Sequence, residues 1–571
     1  MKKRNAFILA GIAAVSCCLA AYAESGEAMV NYGSTVTDFQ AGDARVLVYY
    51  PSSNAADESG FQTSCTAPIL LVYPDGGMTD DEVVSYAQTS GLARIAAENG
   101  SSVCFVQPVN GSSWEDADKD SYGSIIQSFS DSSQIDAVNG VGYDVDFVTG
   151  TAGDTKVLLG TSQRIYVYAD GAGADFVAST LLQPVSVMSP WGFPTDATIA
   201  GCTLEHVSDV SGVHPNDIPV VYIGDDEEIE SLLAENCGEI IKESTADYAE
   251  QFKKVTGSKR REDGILLSMN DYAGNGIIED PEIFTIQTEN GEKNIACLLY
   301  YGDDLDIKDG NVPLMFAFHG HGNTAMYLAE SSDWALIGKK NGFMTVMVDD
   351  HEKCSAADIV SLLDVIKEAY SIDPSRVYAT GFSIGSVKTF DLMEQYPEKF
   401  AAFAPMNGYF AQESEIPQGT MVPTFYVGAQ NSPLTELPCQ SEAILKRLQT
   451  VLRANGTIEK LDISMEDQEN WENPFFGKTG DFVYQIEDSE EFVNSVLTVH
   501  LFAGEDGKYY TAFCDSSAQS HQMFARNCWA AWDFMSQFSR NEDGTVVISE
   551  RAYDRPSQDG SVTDNSYNMQ Q

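Results

Sequence analysis

Short, unbroken apolar runs recur along the chain, separated by stretches whose apolar positions repeat at helical spacing. RVLVYYP (45–51), PILLVY (68–73), PLMFAF (313–318) and RVYAT (376–380) are continuous rather than alternating. That is the pattern of parallel strands buried on both faces. Segments 82–98 (EVVSYAQTSGLARIAAE) and 355–371 (SAADIVSLLDVIKEAYS) read as helices between them. Strands alternating with helices predict an α/β fold with a mostly parallel sheet.

The same pattern occurs twice. APILLVYPDGG (67–77) parallels VPLMFAFHGHG (312–322), and RIYVYADGAG (164–173) parallels RVYATGFSIG (376–385). IPVVYIG (218–224) parallels VPTFYVG (422–428), and RVLVYYP parallels ACLLYYG (296–302). Four matches in one order point to a tandem duplication. The boundary falls near 245–280, where a polar helix (244–257) runs into SKRRED, the only basic cluster. The expected organisation is a signal peptide at 1–23, a first domain at 24–260, a second at 261–545 and a polar tail at 546–571.

Composition fixes the setting. The 571 residues carry 33 Lys+Arg against 85 Asp+Glu, a formal net charge of -52, with 43% hydrophobic residues. A packed core is therefore expected, and so strong a negative charge argues against nucleic acid and an anionic bilayer as partners. Lys2, Lys3 and Arg4, an apolar run to Ala21 and the small-x-small pattern Ala21-Tyr22-Ala23 read as a secretory signal. Cleavage before Glu24 would leave a secreted, extracellular or periplasmic protein with no membrane segment. Nine cysteines then remain, an odd number. Cys514 and Cys528 flank His521 symmetrically, so a disulfide could brace a histidine loop there. No CxxC and no His/Cys cluster at zinc spacing occurs, so no metal site is expected.

The chemistry lies in the second copy. Gly381-Phe382-Ser383-Ile384-Gly385 is a G-x-S-x-G string between a strand and a helix-like stretch, the setting of a nucleophile elbow. His319-Gly320-His321-Gly322 follows an earlier strand, where a glycine-rich turn can offer the backbone N–H of His321 to an oxyanion. Ile384 would supply the second N–H. The histidine side chains of that turn are expected only to pack or cap it. A base must follow Ser383 in the chain; His500 sits inside an apolar run, whereas His521 lies in a loop, so His521 is preferred. An acid is expected just past VPTFYVG. Asn431 occupies the place where an Asp would suit, and Glu436 is the first carboxylate after the strand, a carboxylate elsewhere or a weakened dyad being the alternatives.

Residues 312–322, SIDPSRVYATGFSIGS, PEKFAAFAPMNG and the His521 loop together resemble the polyhydroxybutyrate-depolymerase-type esterases, secreted α/β-hydrolases close to the feruloyl and acetylxylan esterases. The resemblance covers roughly 280–540 well and 35–245 as a diverged echo. It implies two tandem α/β-hydrolase-like domains and a serine esterase needing neither metal nor organic cofactor. The implied substrate is an ester-bearing small molecule, polysaccharide or polyester. By the match Ser383 is nucleophile and His521 general base, with oxyanion donors from His321 and Ile384. A serine peptidase on the same scaffold and a non-catalytic secreted binding protein are the competing readings.

The first copy reads as inert. Gly171 stands opposite Ser383, Pro74-Asp75-Gly76-Gly77 replaces the His-Gly-His-Gly turn, and no histidine occurs between His214 and His319. The acidic run Asp225–Glu228 is expected to start a solvated helix, and Asn270–Gly276 to form a turn. Trp471, Phe475 and Phe476 could line an aromatic platform or pack as satellite core.

Overall fold

The computed structural model describes residues 35–549 apart from 43, 52–67, 100, 131–144, 147–150, 153–154, 157, 189–193, 263, 322, 350, 409–415, 418, 458–463, 467–479 and 489–494; beyond 549 it describes 554–556 and 562–564. The expected signal segment, Trp471, Phe475 and Phe476 lie outside the described residues.

Continuous apolar runs become strands buried end to end. In the first half the strands of the main sheet are β1 (Thr35–Ala41), β2 (Ala44–Tyr50), β3 (Pro68–Tyr73), β4 (Val103–Gln107), β5 (Thr161–Asp170), β6 (Gly201–Glu205), β7 (Pro219–Ile223) and β8 (Glu239–Glu243), the two edge strands being the least buried. Their order in the sheet is β1-β2-β4-β3-β5-β6-β7-β8. β2 runs antiparallel to β1 and β4, and every later neighbour pair is parallel. Every residue of β3 and β4 is buried, each large side chain contributing about 1.5–3 kcal/mol by leaving water.

A short antiparallel hairpin follows, β9 (Lys259–Glu262) and β10 (Ile265–Ser268). The second half contributes β11 (Ile277–Thr288), β12 (Gly291–Gly302), β13 (Val312–Phe318), β14 (Met344–Val348), β15 (Ile372–Phe382), β16 (Ala402–Met406), β17 (Thr424–Ala429), β18 (Phe482–Asp488), β19 (Ser495–Ala503) and β20 (Tyr509–Ser516). Their order is β11-β12-β14-β13-β15-β16-β17-β20-β19-β18. Both sheets thus run first, second, fourth, third, fifth, sixth, seventh and then a further parallel strand, with the second strand antiparallel. This is the α/β-hydrolase order, and the molecule has two α/β-hydrolase-like domains, each a mostly parallel sheet with apolar clusters on both faces.

Helices cover the sheets. In the first half, α1 (Asp80–Thr89), α2 (Leu92–Glu98), α3 (Ala172–Thr180) and α4 (Tyr248–Lys254) bear on the argument. In the second half these are α5 (Ala325–Ser332), α6 (Trp334–Asn341), α7 (Ala356–Ala369), α8 (Ile384–Gln395), α9 (Glu442–Ala454) and α10 (Ala525–Met535). The single helix expected over 82–98 is two. A capping box between Thr79 and Glu82 starts α1, and the chain breaks at Gly91, with φ at 86°. A side chain at Gly91 would press on Ala249 of α4, so glycine allows both the turn and the close approach. The helix expected over 244–257 shortens to α4, and the basic cluster becomes β9. Asp226 caps a helix over Glu227–Asn236, as the acidic run implied. Asp271 accepts from the Gly274 N–H within a turn. No helix among the described residues is long and apolar enough to cross a membrane.

The basic cluster joins the halves. Arg261 donates to Asp217 (2.5 Å) and to the Ile199 carbonyl (2.9 Å), while Tyr166 on β5 donates to the Lys259 carbonyl (2.6 Å). Arg260 reaches the other way, donating to the Glu330 carbonyl at 2.7 Å with its Nε 3.5 Å from the Glu330 carboxylate. Both side chains are buried.

Candidate active site

Ser383 ends β15 and caps α8 with φ 56° and ψ −115°. This left-handed conformation is strained for a residue with a side chain, and close packing enforces it. Side chains at Gly381 and Gly385 would collide with the Gly385 and Phe318 carbonyls respectively, which is why glycine flanks the serine on both sides. The Ser383 N–H donates to the Met406 carbonyl (3.0 Å), tying the elbow to β16.

His521 lies between β20 and α10, in the loop where a base was expected. Its Nε2 is 2.9 Å from Ser383 Oγ and its Nδ1 is 2.6 Å from Glu436 Oε1. A carboxylate can only accept, so Nδ1 carries the proton and Nε2 is left to accept from the serine hydroxyl. The Phe382 ring packs 4.9 Å from the imidazole. Ser383, His521 and Glu436 therefore form one hydrogen-bonded line.

Glu436 is fully buried. Its second oxygen accepts from Asn407 Nδ2 (2.9 Å) and the Ala429 N–H (2.7 Å), so the desolvated charge is met by three donors. Tyr426 fixes the backbone by donating to the Glu436 carbonyl (2.5 Å). Asn431 has a different part: its N–H donates to the Gln519 carbonyl (3.0 Å), tethering the histidine loop. His500 is a strand residue on β19, its Nε2 3.3 Å from Asp515.

The disulfide that could brace the histidine loop is not formed. Cys514 and Cys528 are both free thiols buried in one apolar cluster, and Cys528 Sγ instead contacts Met523 Sδ at 3.6 Å. Burial pushes the Cys514 thiol well above its ordinary range. The loop is braced by amides: Gln519 Nε2 donates to the Gln522 carbonyl (2.7 Å) and Asn527 Nδ2 to Gln519 Oε1 (3.0 Å).

Of the oxyanion candidates, Ile384 is the first residue of α8, so its N–H is one of those that a helix start leaves without an internal partner. His321 follows β13, its side chain about half exposed and its Nδ1 2.7 Å from Glu352. His319 is buried, Nδ1 at 2.8 Å from the Gly320 carbonyl. Three residues here were missed from sequence: Asn407, Asp349 and His351. Each follows the C-terminal end of a parallel strand, where open α/β sheets gather their ligand contacts, and that position is the signal that could have found them.

The first domain repeats the elbow with glycine in place of the serine. Gly171 has φ 55° and ψ −125°, and its N–H donates to the Glu205 carbonyl at 3.0 Å. The Ala172 N–H, equivalent to that of Ile384, donates to Asp75 Oδ1 at 2.8 Å. A carboxylate of the chain itself thus sits where an oxyanion would. The sequence did hide one histidine: His206, matching Asn407, has Nδ1 2.8 Å from Asp170 and 4.0 Å from Glu205. The hydrogen bond it donates to the Asp170 carboxylate raises its pKa. Ligating atoms of these three residues lie within 4.8 Å of one another, but no hydroxyl stands at Gly171 for the imidazole to activate.

The chain is similar in sequence to known esterases. Over 251 residues, 42% of the chain, it is 26% identical to a bifunctional acetylxylan esterase/xylanase of Neocallimastix patriciarum. It is 34% identical over 117 residues, 17% of the chain, to poly(3-hydroxyalkanoate) depolymerase C of Paucimonas lemoignei. Over 140 residues, 21% of the chain, it is 29% identical to feruloyl esterase B of Thermothelomyces thermophilus. The chain is related to esterases of these three kinds. It spans 33%, 28% and 47% of their respective lengths. No protein-family model matches it. Among solved structures, an acetyl xylan esterase from Aspergillus awamori is 12% identical with a TM-score of 0.29, covering 43% of this chain and 94% of its own. An S-formylglutathione hydrolase from Staphylococcus aureus is 11% identical with a TM-score of 0.25, covering 32% and 86%. Both likenesses are too slight to bear on function.

Proposed function

We propose that this is a secreted serine esterase whose second domain hydrolyses carboxylic esters through an acyl-enzyme. The observation that carries the reading is the line from Ser383 Oγ through His521 to the buried Glu436 carboxylate. Ser383 attacks the ester carbonyl as His521 Nε2 takes its proton, and the imidazolium that forms faces Glu436. The developing oxyanion is met by the backbone N–H groups of Ile384 and His321. His521 returns the proton to the leaving alcohol, and water then repeats the sequence on the acyl-serine. The side chains present complete this cycle without a cofactor.

The related esterases support feruloyl or acetyl esters of plant polysaccharide, or short hydroxyalkanoate esters, as substrates. The first domain, with glycine at its elbow and Asp75 over its anion site, acts as a non-catalytic partner within the chain. Rates on p-nitrophenyl acetate, a feruloyl ester and a hydroxybutyrate oligomer, measured for the wild type and for Ser383→Ala, test the proposal. Loss of about 10⁴-fold or more in kcat is expected; hydrolysis that survives the substitution overturns it.

A further inference from the structure

The turn bearing the second oxyanion donor owes its shape to residues outside it. In the peptide joining Gly320 to His321, the carbonyl of Gly320 and the N–H of His321 point in opposite directions, because the unit is planar and trans. Whatever holds the carbonyl aims the N–H. Two groups hold it: the Asn323 N–H, which donates to the Gly320 carbonyl at 3.1 Å and closes the turn, and His319, whose Nδ1 lies 2.8 Å from the same oxygen and must therefore carry the proton.

His319 is held in turn by His351, which follows β14. His351 Nε2 is 2.8 Å from the His319 carbonyl and so donates to it, and the two rings pack edge to face at 4.5 Å. His351 is fully buried, with Phe318 on its other side at 5.4 Å. Its Nδ1 has no partner among the described residues. Burial, reinforced by the neighbouring His319, drives its pKa well below the ordinary histidine range, so the ring stays neutral. Two residues earlier, Asp349 Oδ1 accepts the N–H of Ala325 at 2.9 Å and secures the far end of the same turn. Gly320 lies between these anchors and has no side chain to restrict it.

We propose that His351 is a positioning residue for ester hydrolysis, its Nε2–H fixing His319 and, through it, the His321 N–H toward the oxyanion. The inference rests on the esterase reading above and assigns His351 no contact with substrate. Its effect falls on the transition state, where the oxyanion is fully developed, and much less on substrate binding.

The test compares His351→Leu, which lacks the donor, with His351→Gln, whose amide can restore it, in the full-length protein. Measured are kcat, KM, the melting temperature and inhibition by a trifluoromethyl ketone, which forms an oxyanion adduct on serine. For His351→Leu, kcat falls roughly tenfold to a hundredfold, KM changes by less than about threefold, and the inhibition constant rises in step with the fall in kcat. His351→Gln recovers most of both. If His351→Leu does not fold, His351→Asn, with an amide too short to reach, takes its place. A variant without the donor that keeps its kcat, or loses it with the inhibition constant unchanged, overturns the proposal. A wild type whose hydrolysis survives Ser383→Ala overturns the esterase reading instead, so the two failures are distinct.

Discussion

Gly171 and Ser383 share one backbone conformation, φ 55° and ψ −125° against φ 56° and ψ −115°, at matching strand ends in the two sheets. The first domain thus has the elbow with glycine where the second has serine. Restoring a hydroxyl there should restore nothing. A side chain at Gly171 would run into the Asp75 carboxylate, and the Ala172 N–H is already taken by it. In a Ser383→Ala background, Gly171→Ser is expected to leave hydrolysis of p-nitrophenyl acetate at the background rate. It should also lower stability by about 1–3 kcal/mol, because a side chain is forced to positive φ. Rate assays with a denaturant titration check both.

Glu436→Gln keeps the shape of the acid but replaces an oxygen acceptor by an amide that can donate. Where that amide faces Nδ1, the imidazole is pushed to the tautomer that cannot accept the serine proton. A fall in kcat of up to about 10⁴-fold with little change in KM is expected. Asn431→Asp, at the position where sequence pattern would place the acid, should leave kcat within about threefold, because it is the backbone of Asn431 that bonds to Gln519. Steady-state kinetics of the two variants separate the assignments.

Arg260 and Glu330 form a buried pair across the junction of the domains. Removing one partner strands the other charge, so Arg260→Met should cost about 3–5 kcal/mol. Arg260→Met combined with Glu330→Met should recover most of that loss. Urea unfolding of the single and double variants measures the coupling.

His351 also predicts how stability responds to acid. Its folded pKa is well below that of the unfolded chain, which titrates near the ordinary value of about 6.5. As pH falls through that value the unfolded chain binds a proton that the folded protein refuses. Stability from this residue is therefore intact above about pH 6.5 and drops below it, by up to about 1.4 kcal/mol per pH unit. In His351→Gln the fall in melting temperature between about pH 7.5 and about pH 5.5 should be smaller than in the wild type. Calorimetry at the two pH values reads the difference.

Sequence carried the fold because the central strands are buried on both faces, leaving unbroken apolar runs such as VPLMFAF and APILLVY in both domains. Ser383 was legible because its elbow needs glycine on both sides. His521 was legible by chain order and loop placement. Glu436 was half legible: it sits seven residues past β17, and the groups that hold it, Asn407 and the Ala429 N–H, come from other parts of the chain or the backbone. His351 gave no signal, since a lone buried histidine after a strand looks the same whether it packs or donates. Equal spacing of Cys514 and Cys528 about His521 suggested a bridge, yet spacing along the chain says nothing of where the thiols point. His206 gave no signal, because it follows β6 in mid-domain rather than standing last in chain order.

The most direct measurement is the site of covalent labelling by a fluorophosphonate, read by mass spectrometry of the intact protein and of its peptides. One adduct per chain is expected, on the peptide containing Ser383, abolished by Ser383→Ala and strongly slowed by His521→Ala. An unlabelled Ser383 in a preparation that hydrolyses esters, or an adduct that persists in Ser383→Ala, would contradict the assignment of Ser383 as the nucleophile.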